Sequence, residues 1–174
     1  GHSIAFRLKQ DAPQLKIAVL GDPVNSLQAS RAAAGMLSPF CECDRADRFF
    51  DFCRESLNKF PEFLKELVSV SEVPVHFSSE GSLMPSSSYQ ETWEERKAFF
   101  ASEDVPHEIW SAEKVRQKAP YLSEDCGEVM WVREGQVNNR QMHDALMRAS
   151  KNMGIRVLEA NVSGFIRQDS TIAS

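Results

Sequence analysis

Gly1 stands immediately before a segment with helical character, and the apolar run Ile17-Ala18-Val19-Leu20 that follows is closed by Gly21-Asp22-Pro23. A glycine at a helix start lets that helix pack closely on a neighbouring strand, and the free amides of a helix N-terminus attract phosphate. In a dinucleotide-binding βαβ unit, the next strand ends about 20 residues on at an acid that binds a ribose hydroxyl. Asp22 lies at that distance from Gly1. A surface turn aspartate before Pro23 has the same spacing. The order glycine, helix, strand, acid therefore leaves both readings open.

A second stretch is Ala29-Ser30-Arg31-Ala32-Ala33-Ala34-Gly35-Met36-Leu37. So many small residues leave backbone amides sterically open to a flat ligand or a phosphate, and the Ser30 hydroxyl can donate to an anion. An alanine-rich helix packed tightly on its neighbour has the same composition. Other chemistry-bearing residues form no constellation. Cys41-x-Cys43 lacks the two-residue gap of common redox and zinc motifs, which favours a packed pair. His2, His76, His107 and His143 have no carboxylate or cysteine at ligand spacing, so no metal site is expected. Asn161-Val162-Ser163 matches a glycosylation sequon by chance.

The elements that must position these residues follow an α/β grammar at both ends. Ile4, Ala5 and Leu8 are expected on the packed face of an opening helix that Pro13 ends, and residues 16–20 form a buried strand. From Asp47 to Val68, Phe49, Phe50, Cys53, Leu57, Phe60, Phe63, Leu64 and Leu67 recur at helical spacing. That predicts a long amphipathic helix, kinked at Pro61, with the phenylalanine stripe in the core. The middle differs, with short strands expected at 73–77, 82–84, 108–110 and 127–132. Ser88 and Glu91 have capping-box spacing for a helix carrying Tyr89, Trp93, Arg96 and Phe100 on one face. A shorter helix runs from Ser111 and stops before Pro120. Asn138 or Asn139 caps a further helix that Gly154 ends, followed by strands at 155–158 and 162–166.

Length and charge exclude some partners. The chain has 174 residues, 20 Lys+Arg against 25 Asp+Glu and a net charge of −5. An acidic balance argues against nucleic acid and anionic membrane surfaces as partners. No apolar run approaches the roughly 18–20 residues of a membrane span. Four cysteines without a disulfide framework favour a reduced, cytoplasmic setting.

Ser30-x-Ala32-Ala33-Ala34-Gly35-Met36-Leu37, preceded by the helix and strand above, resembles the flavin-binding signature of the glycine oxidase (ThiO-type) branch of the D-amino-acid-oxidase family. The similarity continues through Glu42-Cys43-Asp44, Asp47 and Phe49-Phe50-Asp51-Phe52, then Glu80-Gly81-Ser82-Leu83 and Ala119-Pro120-Tyr121. It resumes at Gly135-Gln136-Val137-Asn138-Asn139-Arg140, where Asn138-Asn139 stands in place of the family's Asp-Pro, and reaches Val162.

The resemblance implies an α/β fold, a Rossmann-like FAD-binding sheet lacking its first strand, with an inserted α+β substrate-domain lobe. The expected division is 1–72 in the FAD-binding part, 73–134 in the lobe and 135–174 returning to the FAD-binding part. The implied cofactor is FAD. Gly1 would lie at its pyrophosphate, Asp22 near the ribose, and Ser30 and Arg31 beside the phosphates. Ala33, Ala34, Gly35 and Met36 would run along the flavin ring, and Val162 would contact the adenine side through its backbone. The implied activity is oxidation of the amine of glycine, sarcosine or a D-amino acid, with oxygen reduced to peroxide. The expected partner is that small-molecule amine or amino acid, with self-association of the full-length protein. A related dehydrogenase with another electron acceptor, or a non-catalytic nucleotide-binding or interaction module, remains as an alternative. The resemblance assigns no catalytic residue within this chain.

Overall fold

The computed structural model describes residues 1–21, 29–160, 162–164, 167–168 and 171–172. Contacts group the chain into two units, one of residues 1–33, 65–75 and 139–174, the other of residues 34–64 and 76–138. Residues 34–64, expected from chain order to lie with the FAD-binding part, group with the second unit because β2 (Met36–Leu37) pairs with β7 (Gly135–Val137).

In the first unit α1 (His2–Asp11) leads to β1 (Ala18–Gly21), and α7 (Asn139–Asn152) leads to β8 (Arg156–Glu159). β1 and β8 are parallel, with Ala18 opposite Arg156 and Gly21 opposite Glu159. A parallel pair cannot be closed by a hairpin and needs a long crossover. α1 packs on α7 through Ala5 and Phe6 from one side and Ala145, Leu146 and Ala149 from the other. Full burial of a side chain such as Phe6 contributes about 1.5–3 kcal/mol. Ile4 and Leu8, expected on the packed face, are 67% and 45% exposed. The packed face is centred on Ala5 and Phe6 instead, which are the buried residues of α1. The end of α4 (Arg48–Ser71) is tied to α1 by Arg7 and Gln10, both of which reach Glu66, at 3.1 and 3.3 Å. Val162–Gly164 lie outside any strand, so the expected strand is not found there, and positions 165–166 of it lie outside the described residues. A short antiparallel pair, β9 (Arg167–Gln168) and β10 (Thr171–Ile172), follows.

The second unit holds two antiparallel three-stranded sheets. One has the order β2-β7-β3 (Phe77–Ser78), the other β4 (Ser82–Pro85), β6 (Val129–Val132), β5 (His107–Trp110). Its core gathers Phe40, Phe50, Met84, Trp93, Phe100, Val105, Met130 and Val132. Cys41 and Cys43 pack against this cluster as free thiols, the packed pair expected. The phenylalanine stripe divides. Phe50 is buried, whereas Phe49 is exposed.

Two helix starts also show which local signals survive. α6 (Ala112–Lys118) begins at Ser111, whose hydroxyl accepts from Lys114 N at 3.2 Å, a side-chain cap. The capping box at Ser88 and Glu91 does not form. Ser86–Ser88 make a 3-10 turn whose Ser86 N donates to Glu128 O at 2.7 Å, and α5 (Trp93–Ser102) starts only after it. There the Trp93 indole N–H donates to the Glu128 carboxylate at 2.8 Å, a tertiary anchor that outweighs the local cap.

Candidate cofactor site

The first unit has a cleft of about 360 Å³ at the N-terminus of α1, bounded by Gly1, Ser3, Val19, Gly21, Ser30 and Asn139 among others. Helix geometry supplies its polar lining. The first amides of an α-helix have no intrahelical acceptor, and α1 has neither a side-chain cap nor an acid in its first turn. Those amides and the positive end of the helix dipole suit an anion. Gly1 also lies against β1: a Cβ added there would meet the Val19 Cγ1 at 3.4 Å, an ordinary van der Waals contact, so the packing at this point does not itself demand glycine.

His2 is held away from the anion role by its partners. Its Nδ1 lies 2.9 Å from the Ser150 hydroxyl, which is itself within 2.8 Å of Leu146 O. With Ser150 donating to that carbonyl, the His2 Nδ1 donates to the Ser150 hydroxyl. Burial first, then the neighbouring His143 ring, lower the His2 pKa from its ordinary value. Across the cleft, the Asn139 side-chain amide donates to Ser30 O and fixes α2 (Ala29–Ala32) to the start of α7.

In the second unit, Gly35 adopts φ +80°, the left-handed region that glycine enters without strain. Its carbonyl accepts from Val137 N at 2.9 Å, and Met36 then pairs with Gln136 on β7. Ala34 is exposed and Met36 is 62% exposed, so the small-residue segment offers an open apolar edge beside a paired backbone.

The expected site residues therefore fall in three groups. Gly1 and Ser30 meet at one cleft of the first unit, and Arg31 and Ala33 lie on or just after α2 in the same unit. Ala34, Gly35 and Met36 run along β7 in the second unit. Val162 is exposed and outside any strand, and Asp22 lies outside the described residues. Asn139, expected only as a helix cap, adds a bond to the Ser30 carbonyl.

Glu134 carries no signal in the sequence, yet it is only 2% exposed. Its Oε1 accepts from Phe40 N at 2.7 Å and Cys41 N at 2.9 Å. Burial, then the charge of Glu134, push the Cys41 thiol pKa up, so this sulfur stays protonated and is no nucleophile at neutral pH. Among the described residues no cluster of His, Cys, Asp and Glu could hold a metal, and no helix is long and apolar enough to cross a membrane.

A parallel pair served by a glycine-started helix, with antiparallel sheets formed from chain between its strands, defines a mixed α/β protein of the FAD-binding kind. The glycine oxidase of Bacillus cereus has this fold, at a TM-score of 0.83 and 20% identity, covering 98% of this chain and 46% of that one. A family model described as FAD dependent oxidoreductase matches residues 1–173, and the chain belongs to that family. It is homologous to the bifunctional protein ThiO/ThiG of Synechocystis sp., 28% identical over 167 residues, which are 91% of this chain and 23% of that protein. It is also 28% identical over 134 residues to the glycine oxidase of Bacillus subtilis, covering 76% of this chain and 35% of that enzyme. The chain thus spans about a quarter to a third of the length of these curated relatives. Each unit by itself has a feature that suits one part of FAD: in the first the uncapped N-terminus of α1 suits a pyrophosphate, and in the second the exposed apolar edge at Met36 suits a flat ring.

Proposed function

We propose that the protein oxidises the amine of a small amino acid, with glycine, sarcosine and D-amino acids as the substrate class, to an imine that water hydrolyses, while oxygen is reduced to peroxide. FAD, when bound, supplies the hydride acceptor for the substrate Cα–H bond. The residues of this chain serve the cofactor rather than the bond that breaks. Gly1 and the first-turn amides of α1 receive the pyrophosphate, with Ser30 and Arg31 beside the phosphates. Asp22 takes the ribose, and Val162 the adenine side through its backbone. Ala33 to Met36 face the flavin ring, where an apolar edge excludes water.

The observation that carries this reading is the family match over residues 1–173, coinciding with an exposed Gly35-Met36 edge. The full-length protein is expected to be yellow, to release FAD on denaturation, and to form peroxide when given glycine, sarcosine or D-alanine. Failure of the refolded protein to bind added FAD would sink the proposal. Turnover with an artificial acceptor but no peroxide would replace oxidase by dehydrogenase.

A further inference from the structure

α3 (Pro39–Glu42) is a single helical turn whose amides are all accounted for. Pro39 has no N–H, Glu42 N closes on Ser38 O at 3.1 Å, and Phe40 N and Cys41 N both donate to Glu134 Oε1. Ser38 occupies the N-cap position but makes no side-chain cap. Natural helices ordinarily meet this need with that local side chain. Here the acceptor comes from a buried carboxylate 94 residues along the chain from Phe40.

The same stretch of chain holds the segment just before α3. Val137 N donates to Gly35 O, Met36 pairs with Gln136 and Leu37 with Gly135. A strand of two residues fixes its own register weakly, because a slip loses little pairing and turns each side chain to the other face. A charge-assisted bond beyond the strand end pins the register where the ladder is too short to do so. We propose that Glu134 is a positioning residue for the cofactor segment. By locking α3 to the link between β6 and β7, its carboxylate holds the left-handed turn at Gly35 and the exposed Met36 in one register for the flavin ring. The inference rests on the FAD reading above.

The test uses the full-length protein, FAD titrated into apoprotein by flavin fluorescence, visible circular dichroism of the bound flavin, and urea unfolding of the apoprotein. Glu134→Ala is expected to weaken FAD binding by about ten-fold or more and to change the flavin dichroism. Adding Ser38→Asp to that variant supplies a local cap. It is expected to recover the urea midpoint without recovering FAD affinity. A purely structural role predicts the opposite, recovery of both, and that result would overturn the proposal. So would wild-type affinity and dichroism in Glu134→Ala. If Glu134→Ala does not fold, Glu134→Gln, which keeps a neutral acceptor, is read instead. About three-fold weaker binding with altered dichroism supports the role, and unchanged values in both refute it. Wild-type protein that binds no FAD defeats the FAD reading itself, whereas intact wild-type binding with unaffected variants defeats only the role of Glu134.

Discussion

Two helices in this chain treat their N-terminal amides in opposite ways. α1, ten residues long, begins at Gly1 with no cap and no acid in its first turn. α3, four residues long, has its free amides taken up by the buried Glu134. A long helix packed on α7 tolerates an uncapped end, because tertiary burial of Ala5 and Phe6 supports it. A single turn has no such reserve and needs its donors satisfied. The comparison separates amides left open for a ligand from amides consumed in building the place where a ligand lies.

The contrast can be broken first at Glu134. Replacing it by alanine leaves one buried and one partly buried donor unpaired, and urea unfolding should show a loss of about 3 kcal/mol. A loss under 1 kcal/mol would mean water takes over the cap. Ser3→Asp attacks the other helix by placing a carboxylate in the first turn of α1. It should stabilise the apoprotein by about 0.5 kcal/mol through the helix dipole while weakening FAD binding at least ten-fold. Unchanged FAD affinity would show that the α1 amides do not receive the pyrophosphate. Asn139→Ala removes the bond to Ser30 O and should cost about 1 kcal/mol in urea unfolding, with a smaller loss of FAD affinity. The smallest effect concerns His2. A histidine whose pKa is lowered on folding contributes stability above the ordinary pKa near 6.5, and that stability declines as pH falls below it. His2→Asn should flatten the decline between pH 6.5 and 5, measured by thermal unfolding. An unaltered pH profile would rule out His2 as its source.

The small-residue block and the strands at Ser82–Pro85, His107–Trp110 and Val129–Val132 were readable because each is a local pattern, whereas of the strand expected at 73–77 only Phe77 is in β3. Ala33 to Met36 advertise an open backbone by composition, and the Ser111 cap needs only its own neighbours. The face of α1 was misjudged because Ile4, Ala5, Phe6 and Leu8 permit more than one apolar stripe, and the partner helix α7 decides among them from over 130 residues away. Glu134 is silent for the same reason in stronger form. An acid between two strands looks solvated until β7 brings it under α3. Ser88 and Glu91 show the converse, a correct local signal overruled when Glu128 engages Trp93 and Ser86.

The pairing of β1 with β8 also sets an order of events during synthesis. Every strand pairing of the second unit closes within residues 34–138, while Ala18 must wait for Arg156. At translation rates of about 5–20 residues per second, the stretch of chain between them takes roughly 7–27 seconds to emerge. Throughout that interval β1 waits for β8, the strand it pairs with among the described residues. The strand pairings of the second unit can therefore all be complete before the β1–β8 pair forms, so that parallel pair is the pairing most exposed when synthesis stalls between them.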